Sequence, residues 1–132
     1  MANRTLCLDS DIIIWHLRGA SPFDVGAYLA TLAEHATIVT TVVSIAEVEQ
    51  GVRAGEEERT RKLLRSLPAI DVGRGIAETA GEIVRTLRAK GETMGLADAL
   101  IAACCLANNA ALVTLNVKHF VKVPNLELHL LP

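Results

Sequence analysis

One carboxylate, Asp98, stands in "GLADALIAACCLA", residues 95 to 107, a stretch that reads as a helix apolar almost all the way round. Aspartate is almost never fully buried unless paired, because an unpaired buried charge is costly. Two more acids lie beside apolar runs: Asp9 directly follows "LCL", and Glu47 lies in "TTVVSIAEVEQG". Three carboxylates that converge repel one another unless a cation sits between them. A hard divalent ion such as Mg2+ takes octahedral oxygen ligands, keeps several waters, and uses a few protein carboxylates together with substrate phosphate oxygens. Such a centre activates water and stabilises charge in phosphodiester hydrolysis.

Convergence depends on the elements that carry these acids. Short β-branched or apolar runs recur at 6–8, 38–43, 69–72, 111–115 and 126–130, and helical patterns lie between them. Ile76, Ala80, Ile83, Val84 and Leu87 form one apolar stripe, with Glu78, Glu82, Arg85 and Arg88 off it. Residues 22–35 begin with Pro22 at a first helical position after Ser21, and Gly91 and Gly95 bracket a turn before the helix of Asp98. Strands alternating with helices predict an α/β fold, a three-layer sandwich with a mostly parallel central sheet. In open parallel sheets, sites form outside the carboxyl ends of the strands. Asp9 ends the first strand, Ser44 and Glu47 follow the second, and Thr114 and Asn116 close the fourth. Asp98 opens the helix that runs down to feed that fourth strand, so its start belongs at the same edge. The expected cluster is Asp9, Glu47 and Asp98, with Asn116 nearby.

At 132 residues the chain has the length of one domain, 1–132, without internal repeat or low-complexity tract. Hydrophobic residues make up 51%, which marks a packed globule and not a disordered chain. A net charge of -2 provides no whole-molecule attraction to polyanions, so such a partner needs a local patch or a bound cation. The opening "MANRTLCLDSD" has no signal-peptide apolar core, and the longest apolar run, 99–107, is far short of the ~18 residues of a membrane span. A soluble, cytoplasmic protein is expected. Cys7, Cys104 and Cys105 show no metal-ligand spacing and read as buried small hydrophobes.

"LDSDIIIWHLRG", "TTVVSIAEVEQG", "GLADALIAA" and "ALVTLNVKHF", in that order and spacing, resemble the four signatures of PIN-domain ribonucleases, specifically the VapC toxins of toxin–antitoxin pairs. The resemblance spans nearly the whole chain, including the closing "VPNLELHLLP". It implies a single PIN domain and a Mg2+- or Mn2+-dependent endoribonuclease in which Asp9, Glu47 and Asp98 hold the cation. Cleavage would leave a 5'-phosphate and a 3'-hydroxyl. Ser10 and Thr114 match hydroxyl positions flanking the site. Asn116 and His119 stand where relatives often have Asp, which departs from an all-acid pattern and bears on a second metal. The resemblance further implies an RNA substrate, a VapB-like antitoxin that blocks the acidic pocket, and a homodimer.

Each motif has a plainer reading beside this one. Ser44 to Glu47 is formally an S-x-x-E capping box, and Asp98 in a first turn would complement a helix dipole. "DSD", Asp9 and Asp11, also suits a phosphoaspartyl phosphatase, although Glu47 and Asp98 then have no role; Asp11 otherwise reads as a helix-opening residue. A catalytically silent PIN scaffold that acts by binding is a further alternative, kept open by the neutral Asn116. In "EEERTRKLLRS", residues 56–66, Glu57–Arg61 and Glu58–Lys62 pairs suggest a solvated helix. Lys118 and Lys122, beside the expected site, are the better candidates for RNA phosphates, while His119 reads as a surface histidine. Trp15, Phe23, Tyr28 and Phe120 are too few and scattered for a base-stacking platform.

Overall fold

The computed structural model describes residues 4–19 and 25–132. Five strands form one sheet in the order β3-β2-β1-β4-β5: β1 is Arg4–Leu8, β2 Ala36–Thr41, β3 Ala69–Ile70, β4 Ala110–Val113 and β5 Leu128–His129. Every pairing is parallel, with Leu6 in register with Ile38 on one side and Ala111 on the other. The helices are α1 Ser10–Arg18, α2 Val25–Ala33, α3 Val42–Gln50, α4 Glu57–Ser66, α5 Arg74–Ala89, α6 Leu96–Ala107 and a single turn, α7, Val117–Phe120.

The period-two alternation of strands divides the core between the two faces of the sheet. Leu6, Leu8, Ala111 and Val113 pack with Ile12 and Ile13 of α1, Val25 of α2, Val48 of α3 and Leu64 of α4. Cys7 and Leu112 face the other way, onto Ala80, Ile83 and Leu87 of α5, most of α6, and Phe120. This is the three-layer parallel architecture expected, and the stripe from Ile76 to Leu87 is the buried seam of α5. All three cysteines are free and buried. A hydrogen bond with Cys105 and burial push the Cys7 thiol far up, so it stays protonated.

Several boundaries differ from the sequence reading. Val42 and Val43 open α3 instead of extending β2, because the Thr41 hydroxyl accepts a hydrogen bond from the Ser44 amide at 3.0 Å and so caps the helix there. Ser44 is therefore inside α3 and is not its cap, which removes the capping-box reading. Strands β3 and β5 are only two residues each, and β4 stops at Val113. In α4 the ion pair among the described residues is Arg59–Glu56, at 2.9 Å, and not the two pairs expected from spacing; Glu57 instead accepts from the Gly55 amide. Ser21 and Pro22, the expected start of α2, and Phe23 lie outside the described residues. Among the described residues no helix is long and apolar enough to cross a membrane.

Candidate metal centre

Strand β1 lies at the middle of the sheet, where the strand order reverses: the chain steps from β1 to β2 and β3 on one side and then crosses over to β4 on the other, and the candidate site sits beyond the carboxyl end of β1. There is no loop between β1 and α1. Asp9 alone makes the joint, in extended conformation (φ -72°, ψ 160°), and serves as the N-cap of α1. Its backbone amide donates to Val113 O at 2.9 Å, the last rung toward β4. Its carboxylate accepts from the Ser10 amide at 2.8 Å through Oδ1 and from the Thr114 hydroxyl at 2.8 Å through Oδ2. Only 5% of Asp9 is exposed, and burial raises its carboxyl above the usual range despite those two bonds; the nearby Asp98 charge adds to the rise.

Glu47 projects from the second turn of α3 and is half-buried. The Ser10 hydroxyl donates to its carboxylate, but Oε1 is buried with no hydrogen-bond partner. Burial raises the Glu47 carboxyl, and Asp9 and Asp98 raise it further. Asp98 is in the first turn of α6, whose N-cap, Gly95, offers no side-chain bond. The side chain is 35% exposed. The structure thus brings Asp9, Glu47 and Asp98 near enough to interact electrostatically, with Ser10 and Thr114 bonded to two of them.

Thr114 has one hydroxyl proton and two carboxylates in reach. Asp11 Oδ2 is 3.2 Å away against 2.8 Å for Asp9, so the proton serves Asp9. Asp11 accepts instead from the Leu115 amide at 3.1 Å, and its Oδ1 is buried without a partner. Burial, and then the Asp9 charge, push its carboxyl up to about 6. Asn116 is exposed, and its backbone amide donates to Thr114 Oγ1 at 3.1 Å. Lys118 and Lys122 are exposed, in α7 and just past it, with no ion pair to the cluster.

The sequence reading placed His119 on the surface. The structure corrects this: the side chain is 21% exposed, and Nε2 lies 2.9 Å from Asp98 Oδ2. The signal was its spacing. His119 follows Asn116 by three residues in the turn that begins where β4 ends, so α7 returns it to the strand-end edge.

Among the described residues, no three His, Cys, Asp or Glu side chains are closed around one point that an ion could take. The acids form an open cradle instead. Its donor set nevertheless fits a hard divalent ion: oxygen donors, carboxylates destabilised by one another, and a buried Glu47 oxygen without a proton donor. A cation between them would relieve the last two conditions.

A family model described as "PIN domain" matches residues 6–126. The chain is 38% identical over 120 residues to Ribonuclease VapC10 of Mycobacterium tuberculosis, covering 87% of this chain and 85% of that protein. It is 34% identical over 124 residues to Ribonuclease VapC2 of Rickettsia felis, covering 90% and 92%. Among solved structures, VapBC2 from Rickettsia felis, crystallised with a promoter DNA fragment, superposes with a TM-score of 0.82 at 30% identity, over 95% of this chain and 97% of that one. VapBC-1 from nontypeable Haemophilus influenzae, at 24% identity, shares the fold with a TM-score of 0.79 over 95% and 96%. The match across almost the entire sheet and all three acid-bearing segments decides the assignment: this chain belongs to the PIN-domain family, among the VapC ribonucleases.

Proposed function

We propose that the chain is the ribonuclease toxin of a VapBC toxin–antitoxin pair, an endoribonuclease that hydrolyses RNA phosphodiesters with a divalent cation held by Asp9, Glu47 and Asp98. The observation that carries the cation requirement is the meeting of three carboxylates at one sheet edge, with Glu47 Oε1 buried and unpartnered. Mg2+ or Mn2+ bound there supplies a Lewis acid for the phosphate and a lowered pKa for the attacking water.

The chain's own groups divide the remaining work. Ser10 and Thr114 fix the Asp9 carboxylate at the floor of the cluster. Glu47, whose carboxyl burial and neighbouring charges raise, orients the attacking water and accepts its proton. Lys118 and Lys122, exposed beside the cluster, position RNA phosphates that a chain of net charge -2 would otherwise repel. Asn116, at the rim, is placed to contact the substrate. The VapBC2 neighbour supports an antitoxin partner for this chain; in our reading that partner is VapB-like and covers the acidic pocket, and the toxin unit is a homodimer.

RNA cleavage measured with Mg2+, Mn2+, Ca2+ or EDTA tests this reading, with a variant lacking all three carboxylates as control. Mg2+ and Mn2+ should support cleavage, Ca2+ should do so poorly, and EDTA should abolish it. Cleavage that survives exhaustive EDTA, or that the triple variant retains, overturns the mechanism. Expression alone should slow growth, and co-expression of the cognate antitoxin should restore it.

A further inference from the structure

Three cations of α4 have no part in the mechanism above. Spacing would pair Glu57 with Arg61 and Glu58 with Lys62, but Glu57 turns back to the Gly55 amide at 3.0 Å, and Arg59 is held by Glu56 at 2.9 Å. Arg61, Lys62 and Arg65 are exposed and have no hydrogen bond or ion pair among the described residues. With Glu57, Glu58 and Ser66 they line one open depression of about 760 Å³. The Ser66 hydroxyl donates to Leu63 O at 2.6 Å, so the three cations are the side-chain donors left there. Arg61 and Arg65 are one helical turn apart, and like charges at that spacing destabilise a helix, so they do not serve its folding. The helix itself is firmly seated. Thr60 and Leu64 are buried, and the Arg59 guanidinium donates to Leu17 O, in the last turn of α1, at 2.7 Å. Asp9 is the N-cap of the same α1, so about 12 Å of helix separates that mooring from the acidic cluster.

We propose that Arg61, Lys62 and Arg65 form a second RNA anchor, which holds backbone phosphates of the substrate several nucleotides away from the one that is cleaved. The proposal rests on the RNA-cleaving reading above. Every side chain lining the depression is polar. A protein partner would need a buried apolar or aromatic anchor at its centre, whereas phosphates need only unpaired cations. A chain of net charge -2 has no general attraction for RNA, so a second local patch adds affinity that the rim of the acidic cluster alone does not supply. Phosphate contacts carry no base information, so this anchor selects RNA by reach and not by sequence. At about 3.4 Å per stacked nucleotide, the length of α1 corresponds to about four nucleotides.

Cleavage of two RNAs that share one cut site tests this. A tetranucleotide reaches only about 7 Å to either side of the cut, whereas a strand of about 20 nucleotides extends past α4. For the long RNA, the double variant Arg61→Ala, Arg65→Ala should raise KM by about tenfold with kcat unchanged, and should make the salt dependence of binding shallower by roughly 1.4 in log–log slope, about 0.7 for each phosphate contact. On the tetranucleotide it should match wild type. The double variant Arg61→Lys, Arg65→Lys keeps both charges and should retain the wild-type slope. An unchanged KM and slope on the long RNA overturn the proposal and leave the carboxylate site standing. Equal losses on both RNAs also overturn it, since the arginines would then act through the fold. Titration with the cognate antitoxin adds a further check: an alanine variant that keeps its affinity for the long RNA but loses the antitoxin gives this face to the protein partner and overturns the proposal. Wild type that cleaves neither RNA overturns both this proposal and the reading beneath it.

Discussion

Asp9 and Asp98 sit at the same edge of the sheet, and the chain around them treats them differently. Asp9 lies at the joint of β1 and α1, is 5% exposed, and has both carboxylate oxygens occupied by protein donors. Asp98 lies at the start of α6, is 35% exposed, and has beside it only an imidazole that does not donate in line. The strand-end half satisfies Asp9 internally, although the neighbouring Asp11 Oδ1 is buried without a partner. The half built on α3 and α6 carries the unpartnered Glu47 oxygen and the open approach. A buried polar group without a partner costs about 1–3 kcal/mol, more when charged. A satisfied Asp9 facing an unpartnered Glu47 oxygen indicates the side of the cluster on which an external partner belongs.

The largest effect expected from this division falls on Glu47. Glu47→Gln removes the proton acceptor and should lower kcat by about 10²–10⁴-fold, with little loss of metal-free stability, because its Oε1 gives up no hydrogen bond. Single-turnover cleavage alongside chemical unfolding checks both halves of that statement.

Thr114 belongs to the satisfied half, and its removal should produce the opposite pattern. Thr114→Val deletes the hydroxyl that serves buried Asp9 and accepts from Asn116, and it should cost about 1–3 kcal/mol with or without Mg2+. An unfolding midpoint unchanged from wild type would place Thr114 outside the floor of the site.

Asp11 sharpens the comparison through pH. Its carboxyl is raised from 3.8 to about 6, so the folded protein holds that proton more tightly than the unfolded chain. The resulting stability is fully present below 3.8 and is lost as pH rises through 6. Asp11→Asn keeps an oxygen for the Leu115 amide and removes the charge. In EDTA its Tm should gain on wild type across that interval and hold the gain above it. Parallel Tm curves would mean that Asp11 titrates alike in both states.

The smallest effects belong to the rim. Lys118→Ala and Lys122→Ala should each make the salt dependence of RNA binding shallower by roughly 0.7 in log–log slope, with little change in cleavage at saturating RNA. Unchanged slopes and affinities would return both lysines to solvated surface.

The parallel sheet and the edge that carries the acids were legible because both follow from local patterns: apolar runs at strand spacing, a stripe in α5, and an acid immediately after "LCL". Position along the chain then fixed which ends meet. What depended on competition between neighbours was not legible. Val42 and Val43 are β-branched and read as strand, but the Thr41 hydroxyl claims the Ser44 amide and starts α3 there. His119 carries no apolar period of its own; buried Phe120 beside it anchors a turn that directs the imidazole back to Asp98. The choice of Asp9 over Asp11 by the single Thr114 proton is likewise a matter of tenths of an ångström that no spacing rule contains.

The central claim, that Asp98 is one of three converging carboxylates kept for a cation, is tested most directly by unfolding wild type and Asp98→Asn in denaturant, with and without Mg2+, at one ionic strength. The measurement belongs at about pH 8, where histidines are ordinarily neutral. A dipole-complementing Asp98 would make the variant less stable by about 0.3–1 kcal/mol whether or not metal is present. A converging carboxylate raises Asp9 and Glu47, so its neutralisation should instead stabilise the protein in EDTA. With Mg2+ at a hundredfold excess over Kd, wild type should gain about 2.7 kcal/mol, and the variant should lose most of that increment. A variant less stable than wild type in EDTA, with its Mg2+ increment intact, would contradict the account.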